Sequence, residues 1–354
     1  MVVRAPVQSR KPVSLKTLAE YLGLSAATVS LVINRSAVAD SIPQDTKDRI
    51  LAAANKFQYR PNFFARSLRA QRSFTIGVLV PEVSDGYSAS VISGVEDYLL
   101  QEGYFYFVAS HRHRADLIEE YPRLFLERSV DGLIAVDTPW SLVMPVPVVT
   151  VSGHKQVKGV TNIVLDHKRA AEVALRHLYQ LGHRQLAFIK GQEFSSDTAI
   201  RWANIQIAAR QLKLPIVQAL VAQMEGDSPS PDVGYRAAKK LIAAQKKFTA
   251  LFSFNDISAM GAIQALREAG LRVPDDVSVV GFDDIQSAAY QNPSLTTVRQ
   301  PLREMGRIAA ETVLHRVKRP DSESHRLERM VEPELIIRET TSPVRRESAR
   351  TPRN

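Results

Sequence analysis

Several features that would identify common protein classes are missing from this sequence of 354 residues. It contains no cysteine, which excludes a disulfide scaffold and gives no sign of an oxidising compartment. The longest largely apolar run, Leu142–Val151, covers ten residues and is interrupted by Pro145 and Pro147, so it cannot span a bilayer. The N-terminus has no apolar segment of the kind that directs secretion. We therefore expect a cytoplasmic protein without membrane contact.

The common signatures of several enzyme classes are also absent. No Gly-x-x-x-x-Gly-Lys-Ser/Thr loop, Gly-x-Ser-x-Gly turn or His-Glu-x-x-His motif occurs, which removes the usual indications of nucleotide hydrolysis, esterase and zinc-protease chemistry. His111 and His113 alternate with arginines, but without cysteine or an obvious carboxylate partner a solvated loop explains them better than a metal site. The sequence therefore predicts no catalytic residue, metal or cofactor.

Positive charge is concentrated near the start of the chain. The whole sequence has 46 Lys+Arg against 37 Asp+Glu, a net charge of +9. Residues 1–72 contain 12 Lys+Arg and only 4 Asp+Glu, whereas residues 73–340 contain 30 and 32. With 45% hydrophobic residues, the chain is apolar enough to form a large core. This distribution indicates a basic module that binds a polyanion, joined to a separate and nearly neutral body.

Three short helices are predicted within residues 13–60. Ser14 can cap the first, whose apolar residues recur at helical spacing until Gly23 ends it, and Ser25 can cap the second. Pro43 occupies a helix-entry position for the third. A tight turn between the first two helices is typical of a helix-turn-helix, whose second helix would enter the major groove of DNA. On spacing alone, a small helical bundle for protein contact is an equally good explanation.

From residue 73 onward, short β-rich segments alternate with amphipathic helices. This alternation predicts parallel sheets covered by helices on both faces, and the segment is too long for one such sheet, so two lobes are expected. The polar tail at 341–354 has no leucine heptads, so we expect it to be disordered and the protein to be a dimer. The predicted strands are Phe74–Val80, Tyr104–Ser110, Asp131–Val136, Val146–Val151, Gln185–Lys190, Thr249–Phe254 and Val277–Phe282.

Ligands of open parallel sheets bind beyond the carboxyl ends of the strands. Residues at those ends here combine carboxylates, an amide, a guanidinium and aromatic faces, a mixture that recognises a small polyhydroxylated or anionic molecule. Asn255 is equally a helix N-cap, and Trp140 is equally an aromatic fixed at the surface. The candidate ligand-binding residues are Tyr87, Trp140, Arg201, Asn255 and Asp283.

Both parts of the chain resemble the lactose-repressor (LacI/GalR) family of bacterial transcriptional regulators. In the head, the resemblance rests on Leu15–Asn34 and on the sequence Tyr-Arg-Pro-Asn at 59–62. It extends over nearly the full length of the body. The most specific matching segments there are Leu181–Arg184, Phe254–Asp256, Val273–Asp284, Leu295–Val298 and Pro333–Leu335.

The resemblance implies a multidomain chain with an all-α helix-turn-helix head and an α/β body of two lobes, each with a parallel sheet, like a periplasmic binding protein. The chain would cross between the lobes near residues 165, 296 and 325, and the effector would contact Arg201, Asn255 and Asp283. The implied ranges are 13–60 for the head, 61–72 for a hinge helix, 73–165 with 297–325 for the N-lobe, and 166–296 with 326–340 for the C-lobe.

The resemblance also implies which residues of the second helix contact DNA. Ala26, Ala27 and Leu31 would face base edges, and Leu31 stands where the family often has arginine. Apolar side chains can contact a thymine methyl group but cannot form the bidentate contact of arginine with guanine. Part of the specificity is therefore expected from DNA shape and from the hinge. The short polar residues suited to phosphate oxygens are Ser25, Thr28, Ser30 and Asn34.

The segment at 61–72 resembles the hinge helix of the same family. Asn62 can cap this helix, and Arg66 can reach a phosphate. The resemblance implies that two copies fold in the minor groove, where Leu68 wedges into a central base step and kinks it. An ordinary contact between the linker and the core is the alternative role for Leu68.

The body departs from the family pattern at two places. Ser152 and Gly153 stand where relatives commonly have an acidic residue after a strand. Residues 226–229 read Gly-Asp-Ser-Pro where several relatives have an aromatic residue that stacks on the effector. Trp140, from the other lobe, is a candidate substitute for that aromatic.

These observations predict a dimeric, sequence-specific transcriptional regulator that acts as a repressor. It would bind a pseudo-palindromic double-stranded DNA operator under the control of a small-molecule effector, a sugar or related metabolite held between the lobes. A solute-binding or sensor protein without operator binding is the alternative. A nucleotide-dependent enzyme on a doubly wound fold is disfavoured because no Gly-x-Gly-x-x-Gly occurs.

Overall fold

The computed structural model describes residues 13–34, 36–59, 67, 71–227, 230–319 and 327–345. The chain divides into two compact units, a head that ends at Ser73 and a body that begins at Phe74. The predicted hinge residues Asn62, Arg66 and Leu68 lie outside the described residues. Within the described part of the chain, no helix combines the length and apolar character needed to cross a membrane.

The head contains the three predicted helices: α1 (Leu15–Leu22), α2 (Ala26–Ile33) and α3 (Gln44–Lys56). A short 3₁₀ helix, Ala37–Ser41, lies between α2 and α3. The side chains of Ser14 and Ser25 cap α1 and α2 as the sequence indicates. Gly23 ends α1 in the left-handed region, with φ of +65°, which a side chain would disfavour. The turn between the two helices therefore follows from local sequence.

A small apolar core holds the three head helices together. Leu18 of α1, Val29 of α2 and Ile50 of α3 are fully buried in it. Leu51, the next residue of α3, has about half of its side chain exposed. Residues i and i+1 of a helix point in directions about 100° apart, so only one of the two can face the centre of this core.

The body is built from alternating strands and helices. Its described strands are β1 (Thr75–Val80), β2 (Phe105–Ser110), β3 (Gly132–Val136), β4 (Val148–Val151), β5 (Val160–Leu165), β6 (Leu186–Lys190), β7 (Val221–Gln223), β8 (Ala250–Phe252), β9 (Ser278–Asp283), β10 (Thr296–Arg299), β11 (Glu328–Val331) and β12 (Glu334–Ile336). Its described helices are α4 (Gly86–Gln101), α5 (Ala115–Glu127), α6 (His167–Gln180), α7 (Ser196–Gln211), α8 (Pro231–Ala243), α9 (Asp256–Glu268), α10 (Gln286–Tyr290) and α11 (Leu302–Lys318), with a 3₁₀ turn at Gln218–Leu220.

These strands form two six-stranded sheets, one in each lobe. The order in the first lobe is β11-β5-β4-β3-β1-β2, and all neighbouring strands are parallel. The order in the second lobe is β12-β10-β9-β8-β6-β7, in which only β12 is antiparallel to its neighbour. Every residue of β1, β3, β4 and β5 is buried, as expected for strands covered by helices on both faces. The predicted two-lobed α/β body is confirmed.

The chain crosses between the lobes three times, but two crossings lie later than predicted. The first follows β5, close to the predicted residue 165. Because β10 pairs with β9 in the second lobe, the second crossing lies near 300 rather than 296. Because β11 pairs with β5 in the first lobe, the third lies near 332 rather than 325. Residues 297–299 and 328–331 therefore belong to the opposite lobes from those expected.

Helix α11 packs closely against α4 in the first lobe. A methyl group at Gly94 of α4 would collide with the backbone oxygen of Arg303, and one at Gly306 of α11 would collide with the backbone oxygen of Val91. The two helices can approach this closely only because both positions lack a side chain. This contact fixes the returning segment of the chain to the first lobe.

The start of the C-terminal tail is ordered, contrary to the prediction of disorder from residue 341. Thr341 Oγ1 lies 3.0 Å from His177 Nε2, and the Ser342 carbonyl lies 3.0 Å from His183 Nε2. Val344 N donates to the Leu181 carbonyl at 2.9 Å. These hydrogen bonds attach residues 341–345 to the second lobe, and they explain why a polar segment without a core of its own is held in place.

Candidate functional site

The start of α2 presents small side chains to the surface of the head. Ser25 Oγ accepts a hydrogen bond from Thr28 N at 3.0 Å and lies 2.8 Å from Thr28 Oγ1. Ala26 and Ala27 follow directly and are exposed. A helix end with exposed alanines can approach a DNA groove closely, and its capping hydroxyl remains near the surface.

The other predicted DNA-contacting residues of the head are partly occupied within the head itself. Leu31 is half-buried and packs against the head core, so only part of its side chain is available to a base. Asn34 Nδ2 donates to the Ser30 carbonyl at 2.8 Å and to Ser30 Oγ at 3.1 Å. These bonds fix the end of α2, and a phosphate contact by either residue would replace or extend them.

A cleft in the body is lined by residues from both lobes. Its empty volume is about 810 Å³ including the open mouth, which is within the usual range for a small-metabolite site. The first lobe contributes Pro81, Glu82, Asp85, Tyr87, His113 and Asp137. The second contributes Gln192, Phe194, Ser195, Asp197, Arg201, Met224, Asp227, Ser230, Val233, Phe254, Asn255, Ile257, Asp283 and Ile285.

The cleft lies at the carboxyl ends of the strands, as the rule for open parallel sheets predicts. Asp137 directly follows β3, Asp283 is the last residue of β9, and Asn255 follows β8 and caps α9. Of the five predicted ligand-binding residues, the structure brings four together here. They are Tyr87, Arg201, Asn255 and Asp283.

Trp140 does not line this cleft, so its predicted role in stacking is not supported by its position. Its side chain is 3% exposed and packs with Leu79, Phe125 and Val148 in the apolar core of the first lobe. Its ring nitrogen donates to the Leu142 carbonyl at 2.8 Å. Trp140 was expected at the cleft because it follows a strand, but its large apolar ring is turned into the core.

The segment with His111 and His113 is not a solvated loop as expected. His111 is fully buried, with Nε2 3.1 Å from Thr138 Oγ1 and Nδ1 accepting from His113 N at 3.0 Å. Burial lowers the pKa of His111 to about 4, so the ring is neutral at pH 7. The centre of the His113 ring lies 4.0 Å from the centre of the Phe194 ring, across the cleft. These rings provide aromatic faces that sequence analysis sought in Trp140.

Arg201 is held rigidly in the wall of the cleft. Its guanidinium lies 4.3 Å from the centre of the Phe254 ring and 3.7 Å from that of Phe282. One end donates to the Phe254 carbonyl, and the other to Asp197 Oδ2 at 2.7 Å. The buried Nε has no hydrogen-bond partner among the described residues. The charge is thus placed by two rings and two acceptors, and the N–H of Nε is left for a further acceptor.

Asp197 joins Arg201 to two histidines. His154 Nε2 lies 2.5 Å from Asp197 Oδ1, and His167 Nε2 lies 3.3 Å from the same oxygen. Burial alone would raise the pKa of Asp197, but the neighbouring His167 and Arg201 hold it well below its usual value. Burial lowers the pKa of His167, against the opposing charge of Asp197. Asp197 is therefore an ionised, buried carboxylate.

Two further carboxyl groups of the cleft have raised pKa values. Burial, reinforced by the charge of Asp197, raises the pKa of Asp137 to about 7. Burial also raises the pKa of Asp283 well above its usual value, although Arg201 acts in the opposite direction. Gln300 Nε2 donates to Asp283 Oδ1 at 2.7 Å. These groups can change protonation when a ligand enters, since a ligand alters both solvation and charge.

The N-terminus of α7 makes direct contacts across the cleft. Ser196 Oγ lies 2.7 Å from Asp137 Oδ1 and 2.6 Å from the Ser152 carbonyl, and Ser196 N donates to Asp137 Oδ1 at 3.2 Å. Asp137 and Ser152 belong to the first lobe, and α7 belongs to the second. Together with the contact between His154 and Asp197, these bonds join the two lobes at the base of the cleft.

Sequence reasoning missed Asp137, Asp197 and His154. The strand-end rule that selected Trp140 applies equally to Asp137, which comes directly after β3. Asp197 stands four residues before Arg201, the spacing at which helical side chains of opposite charge meet. No pattern in the sequence connected His154 with either residue, because their proximity depends on how the lobes pack.

Family models match both parts of the chain. Residues 14–62 match the model described as bacterial regulatory proteins, lacI family, and residues 175–341 match the periplasmic binding protein-like domain. The HTH-type transcriptional repressor PurR of Haemophilus influenzae is 30% identical over 341 residues, which covers 94% of this chain and 99% of that protein.

Solved structures show the same relationship. The lac repressor dimer bound to operator and the anti-inducer ONPF is 25% identical, with a TM-score of 0.78, covering 94% of this chain and 100% of that one. The transcriptional regulator CelR in complex with cellobiose is also 25% identical, with a TM-score of 0.68, covering 93% and 99%. With its helix-turn-helix head and two-lobed body, the chain belongs to the lacI family of bacterial regulatory proteins and is a DNA-binding transcriptional repressor controlled by an effector.

Proposed function

We propose that this protein binds a pseudo-palindromic operator as a homodimer through α2 of each head. Its affinity for the operator falls or rises when a small metabolite binds the cleft of the body. The main support is that residues of both lobes line the cleft, and hydrogen bonds connect the two lobes at its base. A ligand there meets both lobes at once, so it binds one arrangement of the lobes better than another. Affinities for ligand and for DNA are then reciprocally coupled.

At the DNA, Ala26, Ala27 and Leu31 face base edges. The polar groups around them, Ser25, Thr28, Ser30 and Asn34, fix the position of α2 on the phosphates. Among the hinge residues, Asn62 caps a helix that forms on the operator, Arg66 contacts a phosphate and Leu68 enters the minor groove. The lac repressor dimer with operator and the basic charge of residues 1–72 support this arrangement.

The ligand is a hydroxyl-rich metabolite without net negative charge, such as a sugar. Most charged groups on the described cleft wall are carboxyl groups: Glu82, Asp85, Asp137, Asp197, Asp227 and Asp283. Arg201 is already paired with Asp197, so little positive charge remains for a phosphate or carboxylate ligand. Carboxylates accept hydrogen bonds from hydroxyl groups, and the rings of His113 and Phe194 offer apolar faces. The cellobiose complex of CelR supports this ligand class.

The relatives are transcriptional repressors rather than enzymes. We propose that the cleft binds its ligand without transforming it and that the protein acts in the cytoplasm, where bacterial DNA lies. Hydrolysis or isomerisation of a bound sugar by the purified protein would contradict the first part.

A screen of the full chain against neutral sugars, amino sugars and sugar phosphates tests the proposal. A true ligand raises the melting temperature and changes affinity for an operator selected from random DNA. Ile257→Trp fills the cleft without removing a charge and is expected to abolish both ligand effects while preserving operator affinity within about twofold. The matched control is Gln264→Trp, an exposed position on the same helix, which should keep both.

The outcomes separate the competing functions. If the protein binds a ligand but selects no operator and shows no steep salt dependence of DNA binding, it is a solute-binding protein. Tighter binding of sugar phosphates than of the parent sugars contradicts the ligand class. If Ile257→Trp still responds to the ligand, the ligand does not bind in this cleft.

A further inference from the structure

A cluster of three potential metal ligands lies beside the cleft, and one of the three, Asp197, also lines it. One potential ligand atom from each of His154, His167 and Asp197 lies within 4.8 Å of the other two. The shortest separations are 2.5 Å between His154 and Asp197 and 3.3 Å between His167 and Asp197. Three ligands of a tetrahedral zinc ion, at bond lengths of about 2.0–2.2 Å, lie roughly 3.3 Å apart. His167 and Asp197 already have this separation, His154 and Asp197 would have to move apart by less than about 1 Å, and the ligand atoms of the two histidines lie within 4.8 Å of each other.

His167 lacks the hydrogen bonds that a buried histidine normally makes. Its side chain is 3% exposed, and neither ring nitrogen has a hydrogen-bond partner among the described residues. Nε2 lies close to Asp197 Oδ1 but without the direction of a hydrogen bond. Two unsatisfied nitrogens in one buried ring cost free energy, and such groups in folded proteins usually have an explanation. A cation placed between Nε2 and Asp197 satisfies one of them.

The charge around the cluster also favours a cation. Asp137, Asp197 and Asp283 are close enough for their charges to interact, and the facing cation is Arg201. Asp197, whose pKa is held low, is the ionised carboxylate among them, and a cation bound beside it would add attraction to a buried negative charge. The two oxygens of Asp197 have different partners: Oδ2 contacts Arg201, and Oδ1 faces the two histidines. Oδ1 is thus the oxygen that would bind an ion in a monodentate manner, in place of its 2.5 Å contact with His154 Nε2.

We propose that His154, His167 and Asp197 bind one divalent transition-metal ion that links the two lobes. Two imidazoles and one carboxylate suit Zn²⁺, Co²⁺ or Ni²⁺, and they suit Mg²⁺ and Ca²⁺ poorly because those ions prefer oxygen ligands. Three protein ligands leave a further coordination position for water or a ligand atom. His111 and His113, which drew attention in the sequence, are not part of this set.

The position of the ligands gives the site a regulatory consequence. His154 follows β4 in the first lobe, whereas His167 and Asp197 begin α6 and α7 of the second. An ion held by all three residues stabilises the arrangement in which the lobes meet at the cleft base. Metal binding is therefore coupled to the lobe movement that links effector and DNA. The metal site itself does not depend on the identity of the effector.

The direct experiment is titration of the untagged, metal-free full chain with Zn²⁺ and with Co²⁺, followed by calorimetry and by the visible absorption of Co²⁺. We expect one tight equivalent per chain, and Co²⁺ bands typical of four-coordinate geometry. His154→Gln and His167→Gln should each weaken binding by about 100-fold or more, because even outer partners of metal ligands contribute about 10–100-fold. Neither residue lines the effector cleft.

The matched control is His177→Gln, a half-buried histidine of α6 whose Nε2 lies beside Thr341, and it should bind metal as the unaltered chain does. His154, with 21% of its side chain exposed, provides a variant that does not open the core if His167→Gln fails to fold. Absence of a stoichiometric site in the unaltered chain overturns the proposal. Equal binding by His154→Gln and the unaltered chain overturns it as well, since the ion would then lie on other histidines.

Discussion

In the head, the helix face proposed to meet DNA carries Ala26 and Ala27, which are exposed and uncharged. In the cleft, by contrast, the groups proposed to meet the ligand include Arg201 and Asp197, both about 95% buried and paired with each other. The head can change its partner by exchanging surface side chains at little cost to its fold. The cleft cannot, because its charged groups are stable only together. Recognition and stability are therefore separate at Ala26 and Ala27 of the head and inseparable at Arg201 and Asp197 of the cleft.

The largest expected effect tests the buried pair of the cleft. Arg201→Leu leaves Asp197 buried without its guanidinium partner and should lower the free energy of unfolding of the body by about 3–5 kcal/mol. Urea denaturation followed by circular dichroism measures it. Arg236→Leu removes the same i, i+4 pairing from an exposed helix face, with Asp232, and should cost less than about 0.5 kcal/mol. Similar losses of unfolding free energy in the two variants would show that the buried pair contributes no more to stability than the exposed pair.

The second effect concerns the pH dependence of the cleft. Because the folded pKa of Asp137 is raised to about 7, the folded state retains a proton that the unfolded state releases near pH 4. Asp137 therefore contributes a loss of stability as pH rises from about 4 to 7, whereas His111, whose pKa is lowered by burial, contributes in the opposite direction. Because Asp137→Asn removes only the contribution of Asp137, its stability at pH 7 relative to pH 4 should exceed that of the unaltered chain by about 2–3 kcal/mol. Parallel stability curves for the two proteins would show that Asp137 titrates normally.

The third effect tests whether the face of α2 determines sequence preference. Leu31→Arg introduces a group that can form a bidentate contact with guanine, so operators selected from random DNA should gain a guanine in each half-site, favoured by about 1–3 kcal/mol. Leu31→Ala is the control and should select no new guanine. An unchanged selected sequence in Leu31→Arg would place this helix face away from the bases.

The smallest effect separates folding from contact within the head. Ser25→Ala and Ser14→Ala remove equivalent caps, since each hydroxyl accepts from the backbone three residues later. Each should destabilise its helix by about 1 kcal/mol, measured by hydrogen exchange of head amides. Only Ser25→Ala should also weaken operator binding at matched stability, because its hydroxyl is expected at a phosphate. Equal losses of DNA affinity would mean that Ser25 acts through the cap alone.

Much of the fold could be predicted because it depends on local patterns. Gly23 and the capping serines define the head turn, and long buried strands such as β1 and β9 read as continuous apolar runs. The strands that were not predicted are short or rich in polar residues. β5 includes Thr161 and Asn162, and β7, β10, β11 and β12 have three or four residues each. The lobe to which a short strand belongs depends on pairing between distant segments, which local sequence does not encode.

The candidate cleft could be predicted in part for the same reason. The strand-end rule and the family resemblance both selected Asp283 and Asn255, and they lie where expected. The rule failed at Trp140 because it locates a backbone position, whereas the burial of a large ring depends on the surrounding core. His154 and His167 could not be paired from sequence, since they come from different lobes. Contacts across the cleft arise only when both lobes have folded.

Helix α7 combines two tasks, because Ser196 and Asp197 join the lobes while Asp197 and Arg201 also line the cleft. This has an evolutionary consequence. A duplicated copy of the gene that alters α7 to accept a new ligand also alters how its lobes meet, so it risks losing regulation before it gains a new signal. Changes at Met224 and Ile257, which line the cleft outside α7, leave that helix intact. New ligand preferences in descendants of this protein should therefore appear at such positions first.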